Sequence, residues 1–234
     1  MVKGKVFLKV AALYLATILT FSFFVWGVTS VDASPPKTFV VAIDAGHGGI
    51  DKGAYGKKTK IAESEINLEL AVELSRQLNS LGISTVLTRD GDYGLYGDTS
   101  AGFKRRDMVK RKEIIENSSP DLVISLHCNY SPSGKPRGAE VYYNAGSDVG
   151  KAFAENLQRS ILALNNVEKC RLDTVKLFMT HDIAAPSVIV ECGFLSNFED
   201  EKMLCDKNFQ AKFCKQICSA TIETLSKNVG LIAI

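Results

Sequence analysis

From Phe39 onward, short continuous apolar runs alternate along the chain with stripes of apolar residues three and four positions apart. The continuous runs predict buried strands, and the stripes predict amphipathic helices. The predicted strands are Phe39–Ile43, Ser84–Arg89, Leu122–His127, Ala139–Asn144, Val175–Thr180 and Ser187–Cys192. The predicted helices are Glu63–Leu81, Phe103–Asn117, Val149–Leu164 and Phe209–Leu225.

This alternation of strands and helices predicts the fold class. A strand, a helix and a second strand in succession form a right-handed crossover and pair the strands in parallel. We therefore expect a single α/β domain over residues 39–228, with a mostly parallel twisted sheet flanked by helices on both faces. Asp90–Gly102 and Asn129–Gly138 lack periodicity and are rich in turn residues, so both are predicted to be loops. A loop as long as the first is usually functional or mobile.

Residues 1–33 have a different pattern, typical of export. Lysines near the start precede the uncharged apolar run Val10–Val28. Small residues before Ser34 fit removal of a signal peptide after Ala33. The run of about 19 residues also approaches the ~20 that span a bilayer, so an uncleaved membrane anchor fits equally. Both interpretations, with Thr29–Thr38 as linker, predict export of the following domain to the outer face of the membrane or the cell wall.

Charge and cysteine content narrow the function classes. The formal net charge is +2, which argues against a nucleic-acid partner because such proteins carry a strong basic excess on one face. Six cysteines in an exported chain permit a disulfide framework. Cys128 and Cys192 instead lie in apolar runs, where cysteine serves as a small buried hydrophobe, and we favour that interpretation. Cys205, Cys214 and Cys218 lack the paired C-x-x-C spacing of a structural zinc site.

Four polar residues stand at positions that a parallel sheet brings to one edge: His47, Glu63, His127 and Glu191. The two histidines follow or end apolar strands, and Glu63 begins a helix. Two imidazoles and one carboxylate form a common catalytic zinc shell that leaves one position for water. A further carboxylate such as Glu191 takes a proton from water in this chemistry. Taken alone, each histidine could be a hydrogen-bonded structural residue, and Glu63 could be a charge favoured at the start of a helix. Glu191 is harder to explain in this way, because burying an unpaired carboxylate costs free energy.

The same residues lie in four segments that together resemble the zinc-dependent N-acetylmuramoyl-L-alanine amidases. The segments are DAGHGG at 44–49, ESEINL at 63–68, SLHCN at 125–129 and PSVIVECGFLSN at 186–197. The resemblance covers Phe39 to Leu225. It implies that His47, Glu63 and His127 hold Zn²⁺ and that Glu191 is the catalytic carboxylate. It also implies the helix-flanked, mostly parallel sheet expected from the pattern.

The resemblance further implies a substrate and a setting. The substrate is peptidoglycan, cut at the amide between the lactyl group of muramic acid and L-alanine. The short chain with one amino-terminal apolar segment is similar to the sporulation and germination amidases that help form muramic-δ-lactam in spore cortex. Expected partners are peptidoglycan, the membrane through the amino-terminal segment, and a regulatory protein. The alternatives are a zinc peptidase acting on wall peptides and a membrane-tethered wall-binding protein without turnover.

Three further positions bear on this site. Ser64 stands where the family commonly has a basic residue, and His181 lies where arginine is frequent. His181 is predicted either to contact substrate or to be an exposed loop histidine. Arg111 matches the spacing of a family arginine and is interpreted as structural or catalytic.

Overall fold

The computed structural model describes residues 38–164, 170–174 and 176–232. They lie in one compact unit, Thr38–Ile234. None of the helices in these ranges is both long and apolar enough to span a membrane. The predicted export segment Val10–Val28 lies outside the described residues.

A six-stranded sheet forms the centre of this unit, in the order β2-β1-β3-β6-β4-β5. The strands are β1 (Val40–Ala45), β2 (Ser84–Leu87), β3 (Leu122–Asn129), β4 (Ala139–Tyr143), β5 (Cys170–Thr174) and β6 (Ser187–Phe194). All neighbouring pairs are parallel except β4 with β6, which is antiparallel. The prediction of a mostly parallel sheet is therefore confirmed, with one reversed pairing that brings β4 beside β6.

Helices cover both faces of the sheet, as predicted. They are α1 (Glu63–Ser80), α2 (Phe103–Asn117), α3 (Asp148–Leu162), α4 (Phe178–His181), α5 (Phe198–Leu204) and α6 (Lys207–Ile232). Helices α1, α3 and α6 contribute to the larger hydrophobic core on one face. The smaller cluster on the other face joins α2 and α4 to the sheet through Ile115, Met179 and the strand residues Ala42, Val123 and Ile189.

Helix α1 shows how the sequence pattern produces this packing. Ile66, Leu70, Leu74 and Leu78 recur every four residues and are all fully buried. Burying each such side chain stabilises the fold by about 1.5–3 kcal/mol. The helix ends at Ser80, one residue before the predicted Leu81, and the chain turns at Gly82, whose φ of 80° is a conformation that glycine adopts without steric cost.

One predicted strand is wrong. Of the segment Val175–Thr180, position 175 lies outside the described residues, and Phe178 to Thr180 belong to the short helix α4. The edge strand β5 precedes it at Cys170–Thr174 and pairs in parallel with β4. A helical turn buries only part of the apolar run LFM: Met179 packs into the smaller core, Phe178 packs against it, and Leu177 stays exposed.

Cys128 and Cys192 are free and buried in the structure, in agreement with the prediction. Cys128, Cys192, Cys205, Cys214 and Cys218 are free, and all but Cys205 are buried. Burial raises the pKa of the Cys128 and Cys192 thiols well above their usual range. These thiols therefore behave as small apolar core groups.

Candidate metal centre and active site

Three of the predicted site residues meet at the carboxyl ends of β1 and β3. His47 lies in the turn after β1, His127 lies near the end of β3, and Glu63 is the first residue of α1. The Oε1 atom of Glu63 is 3.2 Å from Nε2 of His47 and 3.0 Å from Nδ1 of His127. One ligand atom from each residue lies within 4.8 Å of the others. It is the only such cluster within the residues that the structure describes.

The carboxylate of Glu63 is held ionised and fixed in position. Its Oε2 accepts a hydrogen bond from the backbone N–H of Ala54 at 2.9 Å, and its Oε1 accepts from the N–H of Cys128 at 3.2 Å and from Asn67 at 3.3 Å. Burial raises the pKa of Glu63, but hydrogen bonds and charge from His127 and His47 outweigh burial and hold the pKa well below its usual range. A deprotonated carboxylate is the form that binds a cation.

The backbone at His47 adopts an uncommon conformation, with a φ of 62°. Such a φ is unfavourable for a residue with a side chain and persists only when its surroundings hold it. Arg111 donates to the carbonyl oxygen of His47 at 2.6 Å. Arg89 donates to the carbonyl oxygens of Ala45 at 2.9 Å and Gly46 at 3.0 Å. Two buried guanidinium groups therefore fix the turn that carries the first histidine.

A third contact orients the imidazole ring of His47. Its Nδ1 lies 3.0 Å from Oδ2 of Asp51. A carboxylate on one ring nitrogen fixes the tautomer and leaves the other nitrogen, here Nε2 beside Glu63, available as a ligand. The ring of His47 remains 23% exposed, so a substrate can reach it from one side.

Two glycines make the close packing around this centre sterically feasible. A Cβ atom at Gly46 would lie 2.2 Å from Cε1 of His127, and one at Gly53 would lie 2.4 Å from Oε2 of Glu63. Real Cβ atoms do not approach other atoms so closely. The glycine-rich sequence therefore leaves room for the imidazole and the carboxylate.

Glu191 lies beside this cluster on β6. It is in register with His127 on the neighbouring parallel strand, so both side chains leave the same face of the sheet. Its Oε2 atom is buried and has no hydrogen-bond partner within the described part of the chain. Burial raises the pKa of Glu191, and the charge of Glu63 raises it further against an opposing effect of His127. A buried, unpartnered carboxyl oxygen beside a metal-type cluster is placed to exchange protons with a bound molecule.

The three other positions singled out in the sequence lie outside this cluster. His181 ends α4, is exposed, and has its Nδ1 3.5 Å from the side-chain nitrogen of Asn144. Arg111 is 1% exposed and donates to Asp44 and to backbone carbonyls, which is a structural role. Ser64 is buried in the first turn of α1.

Sequence reasoning missed the residues that hold the site in place, namely Asp51, Asn67 and Arg89. Asn67 had a usable signal, because an amide four residues after Glu63 on the buried face of a helix requires a polar partner. Asp51, four residues after His47, had a weaker signal. Arg89 had none, because its side chain reaches turn carbonyls more than 40 residues earlier in the chain.

The residues present fit a zinc ion. Two imidazole nitrogens and one carboxylate oxygen are the donor set of many catalytic zinc sites, which keep a fourth position open. Asp51 and Asn67 supply the outer hydrogen bonds that such ligands require.

Comparison with known proteins identifies the family to which this fold belongs. Residues 41–223 match the family model described as N-acetylmuramoyl-L-alanine amidase. The chain therefore belongs to this family and is an N-acetylmuramoyl-L-alanine amidase acting on peptidoglycan.

Individual relatives agree with this assignment. The germination-specific N-acetylmuramoyl-L-alanine amidase of Bacillus subtilis is 30% identical over 185 residues, which cover 76% of this chain and 76% of that protein. The amidase LytC of the same organism is 28% identical, and the match spans 78% of this chain but only 34% of LytC. The structure of the CwlD amidase from Clostridioides difficile in complex with the GerS lipoprotein superposes with a TM-score of 0.77 and 31% identity, over 81% of this chain and 99% of that one.

Proposed function

We propose that this amidase is zinc-dependent, with His47, Glu63 and His127 as the metal ligands and Glu191 as the catalytic carboxylate. The observation that carries the proposal is the set of three ligand atoms within 4.8 Å of one another, beside the buried Oε2 atom of Glu191, which has no hydrogen-bond partner among the described residues. When bound, zinc polarises the scissile carbonyl and lowers the pKa of water.

The protein residues then have separate tasks. The depressed pKa keeps Glu63 ionised, and Asp51 keeps the ring of His47 in one tautomer. The raised pKa of Glu191 suits a group that accepts a proton from the attacking water and passes it to the departing nitrogen of L-alanine. Its position in register with His127 places both groups on the same side of the sheet.

We further propose a role in spore cortex maturation, where removal of the stem peptide precedes muramic-δ-lactam formation. The similarity to the germination-specific amidase of Bacillus subtilis and to CwlD supports this role. The complex of CwlD with the GerS lipoprotein supports the proposal that this chain also uses a regulatory protein partner.

The domain organisation belongs to the same proposal. Residues 1–33 would act as a signal peptide or membrane anchor, and residues 39–228 would form the catalytic domain outside the cytoplasmic membrane. The apolar run Val10–Val28 and the wall substrate support this arrangement. In a spore-forming cell the intermembrane space of the developing spore is the corresponding compartment.

A direct test is to incubate the zinc-loaded full chain with purified peptidoglycan and identify the amino termini released. L-Alanine termini alone support the amidase, whereas other termini would indicate a zinc peptidase. Glu191→Gln should bind zinc and release nothing, while Glu199→Gln, at an exposed position, should behave as wild type. If the wild type binds zinc but releases no amino termini, whether or not the proposed regulatory protein is added, the result would support a wall-binding protein and contradict the proposal.

The sporulation role has its own test. A Bacillus subtilis strain that lacks its germination-specific amidase should regain cortex muramic-δ-lactam when it expresses this chain, and not when it expresses Glu191→Gln. Mass spectrometry of cortex muropeptides measures the lactam. Expression of an active enzyme without any lactam would contradict the role in cortex.

A further inference from the structure

A cavity of about 200 Å³ opens beside the candidate metal centre, between the turn after β1 and the start of α2. His47 and His127 form part of its wall, so the cavity adjoins the position that the proposed function gives to the scissile bond. The volume is below the roughly 300–1,000 Å³ of pockets that enclose drug-sized ligands. The cavity therefore fits a short segment of a polymer.

The cavity wall away from the two histidines is mostly apolar. Phe103 and Met108 come from α2, and Tyr96 from the preceding loop packs edge-on against Phe103 with ring centroids 5.3 Å apart. The backbone N–H of Ile50 donates to the hydroxyl of Tyr96 at 2.8 Å, which ties this loop to the turn carrying His47. The wall is thus anchored to the same turn as the metal ligand.

One exposed cation, Lys104, also lines the cavity. Its Nζ lies 3.1 Å from Oδ1 of Asp51, and its side chain is 65% exposed. An ammonium group has three donors, so the contact with Asp51 leaves donors free for a second anion. The other charged groups lining the cavity are committed to each other: Arg111 binds both Asp44 and Asp107.

The substrate arm that matches this chemistry is the stem peptide. On the sugar side of the scissile amide, the muramyl and glucosaminyl groups carry no free acid once the lactyl carboxyl is amidated. On the peptide side, L-alanine is followed by a D-glutamyl residue linked through its γ-carboxyl, whose α-carboxyl is either free or amidated. Two extended residues reach roughly 7 Å, so this carboxyl lies close to the scissile bond.

We propose that this cavity is the subsite for the first two residues of the stem peptide, and that Lys104 binds the free α-carboxylate of the second residue. The inference rests on the proposed function and adds the residue that sets its substrate preference. The apolar wall would contact the L-alanine side chain, and Lys104 would favour a carboxylate over a carboxamide.

The test uses the zinc-loaded full chain and two soluble muramoyl peptides that differ only in a free or amidated α-carboxyl at the second residue. We expect wild type to favour the free acid in kcat/KM by roughly fivefold, the size of one partly exposed ion pair. Lys104→Gln should bring the ratio close to one, and Lys104→Glu should favour the amide. Lys110→Gln, on the same helix but paired with Glu113, should keep the wild-type ratio.

Measuring both substrates on one sample removes any effect of Lys104 on metal occupancy, because a change in occupancy scales both rates equally. Calorimetric binding of the two L-alanyl-D-isoglutamyl peptides, acid and amide, gives a readout independent of turnover. If wild type and Lys104→Gln hydrolyse the substrates with the same ratio of kcat/KM for acid over amide, the proposed subsite would be wrong, while the proposed amidase function would stand. If neither substrate is hydrolysed but the acid peptide still binds and Lys104→Gln weakens that binding, the result would support the subsite and count against the proposed function.

Discussion

Arg111 donates to the carboxylate of Asp44 at 2.7 Å, and each of these side chains is only 1% exposed. The pair joins α2 to the end of β1, three residues before His47. Because Arg111 also donates to the carbonyl oxygens of Ala45 and His47, the ion pair fixes the strained turn that carries the candidate metal ligand. Fold stability and site geometry are coupled through this one side chain.

Replacing Arg111 should therefore destabilise the protein strongly. Arg111→Met leaves the charge of Asp44 buried without its cation, which costs about 3–5 kcal/mol. Denaturant unfolding of the full chain measures the loss. Arg105→Met, at an exposed position on the same helix, should change the free energy of unfolding by less than about 0.5 kcal/mol. Equal stability of the two variants would show that the buried pair contributes little.

The same pair predicts how stability depends on pH. Burial raises the pKa of Asp44, but the charge of Arg111 and the hydrogen bond from Ser125 outweigh it and lower the pKa from 3.8 to about 2. A depressed carboxyl pKa stabilises the fold above the unfolded value and loses that contribution as pH falls from about 4 to about 2.

The contribution of Asp44 over this interval is about 2 kcal/mol, from the linkage between pKa and stability. Denaturant midpoints at successive pH values measure it. Asp44→Asn should be less stable than wild type at pH 7, and the difference should shrink below pH 4. A constant difference from pH 7 to pH 2.5 would contradict the assignment.

Metal binding should be sensitive to a single methyl group at Gly46. A Cβ atom there would lie 2.2 Å from the ring of His127, so Gly46→Ala must displace that imidazole. We expect zinc affinity to fall by roughly 10-fold or more, as for lost support of a ligand. Competition with a chromophoric chelator measures the affinity. Gly146→Ala, where the nearest atom would be 3.4 Å away, is the matched control and should bind as wild type.

Zinc binding should also release a proton from His127. Burial lowers the pKa of this imidazole, but Glu63, together with the charge of Glu191, raises it from 6.5 to about 9 in the metal-free protein. The ring is then protonated at pH 7, and only a neutral imidazole binds metal. Apparent zinc affinity should rise between pH 7 and pH 9. Calorimetry in buffers of different ionisation enthalpy counts the protons, and buffer-independent heats would show that the ring is already neutral.

Much of the site could be predicted because it depends on position relative to the sheet. His47 and His127 follow strands that pair in parallel, so their meeting at one edge is a consequence of topology. Glu191 could be placed because a carboxylate within an apolar strand needs a polar environment. Its register with His127 gives the structural reason.

The remaining errors and omissions have physical causes. The apolar residues of the segment Val175–Thr180 predict a strand, but Met179 is buried by a short helix instead. The edge strand Cys170–Thr174 was missed because its sequence, CRLDT, alternates charged and other residues and lacks a continuous apolar run. The contacts of Arg89 and Arg111 join residues more than 40 positions apart, beyond the range of local patterns.

One zinc ion, held by His47, Glu63 and His127, is proposed to work with Glu191 on the muramyl amide. The most direct measurement is zinc content and L-alanine termini released from peptidoglycan on the same samples of wild type, His127→Ala and Glu191→Gln. We predict that the wild type holds about one zinc ion per chain and releases L-alanine termini. Glu191→Gln should hold zinc but release no termini, and His127→Ala should do neither. Release by a zinc-free wild type, or full activity of Glu191→Gln, would contradict the account.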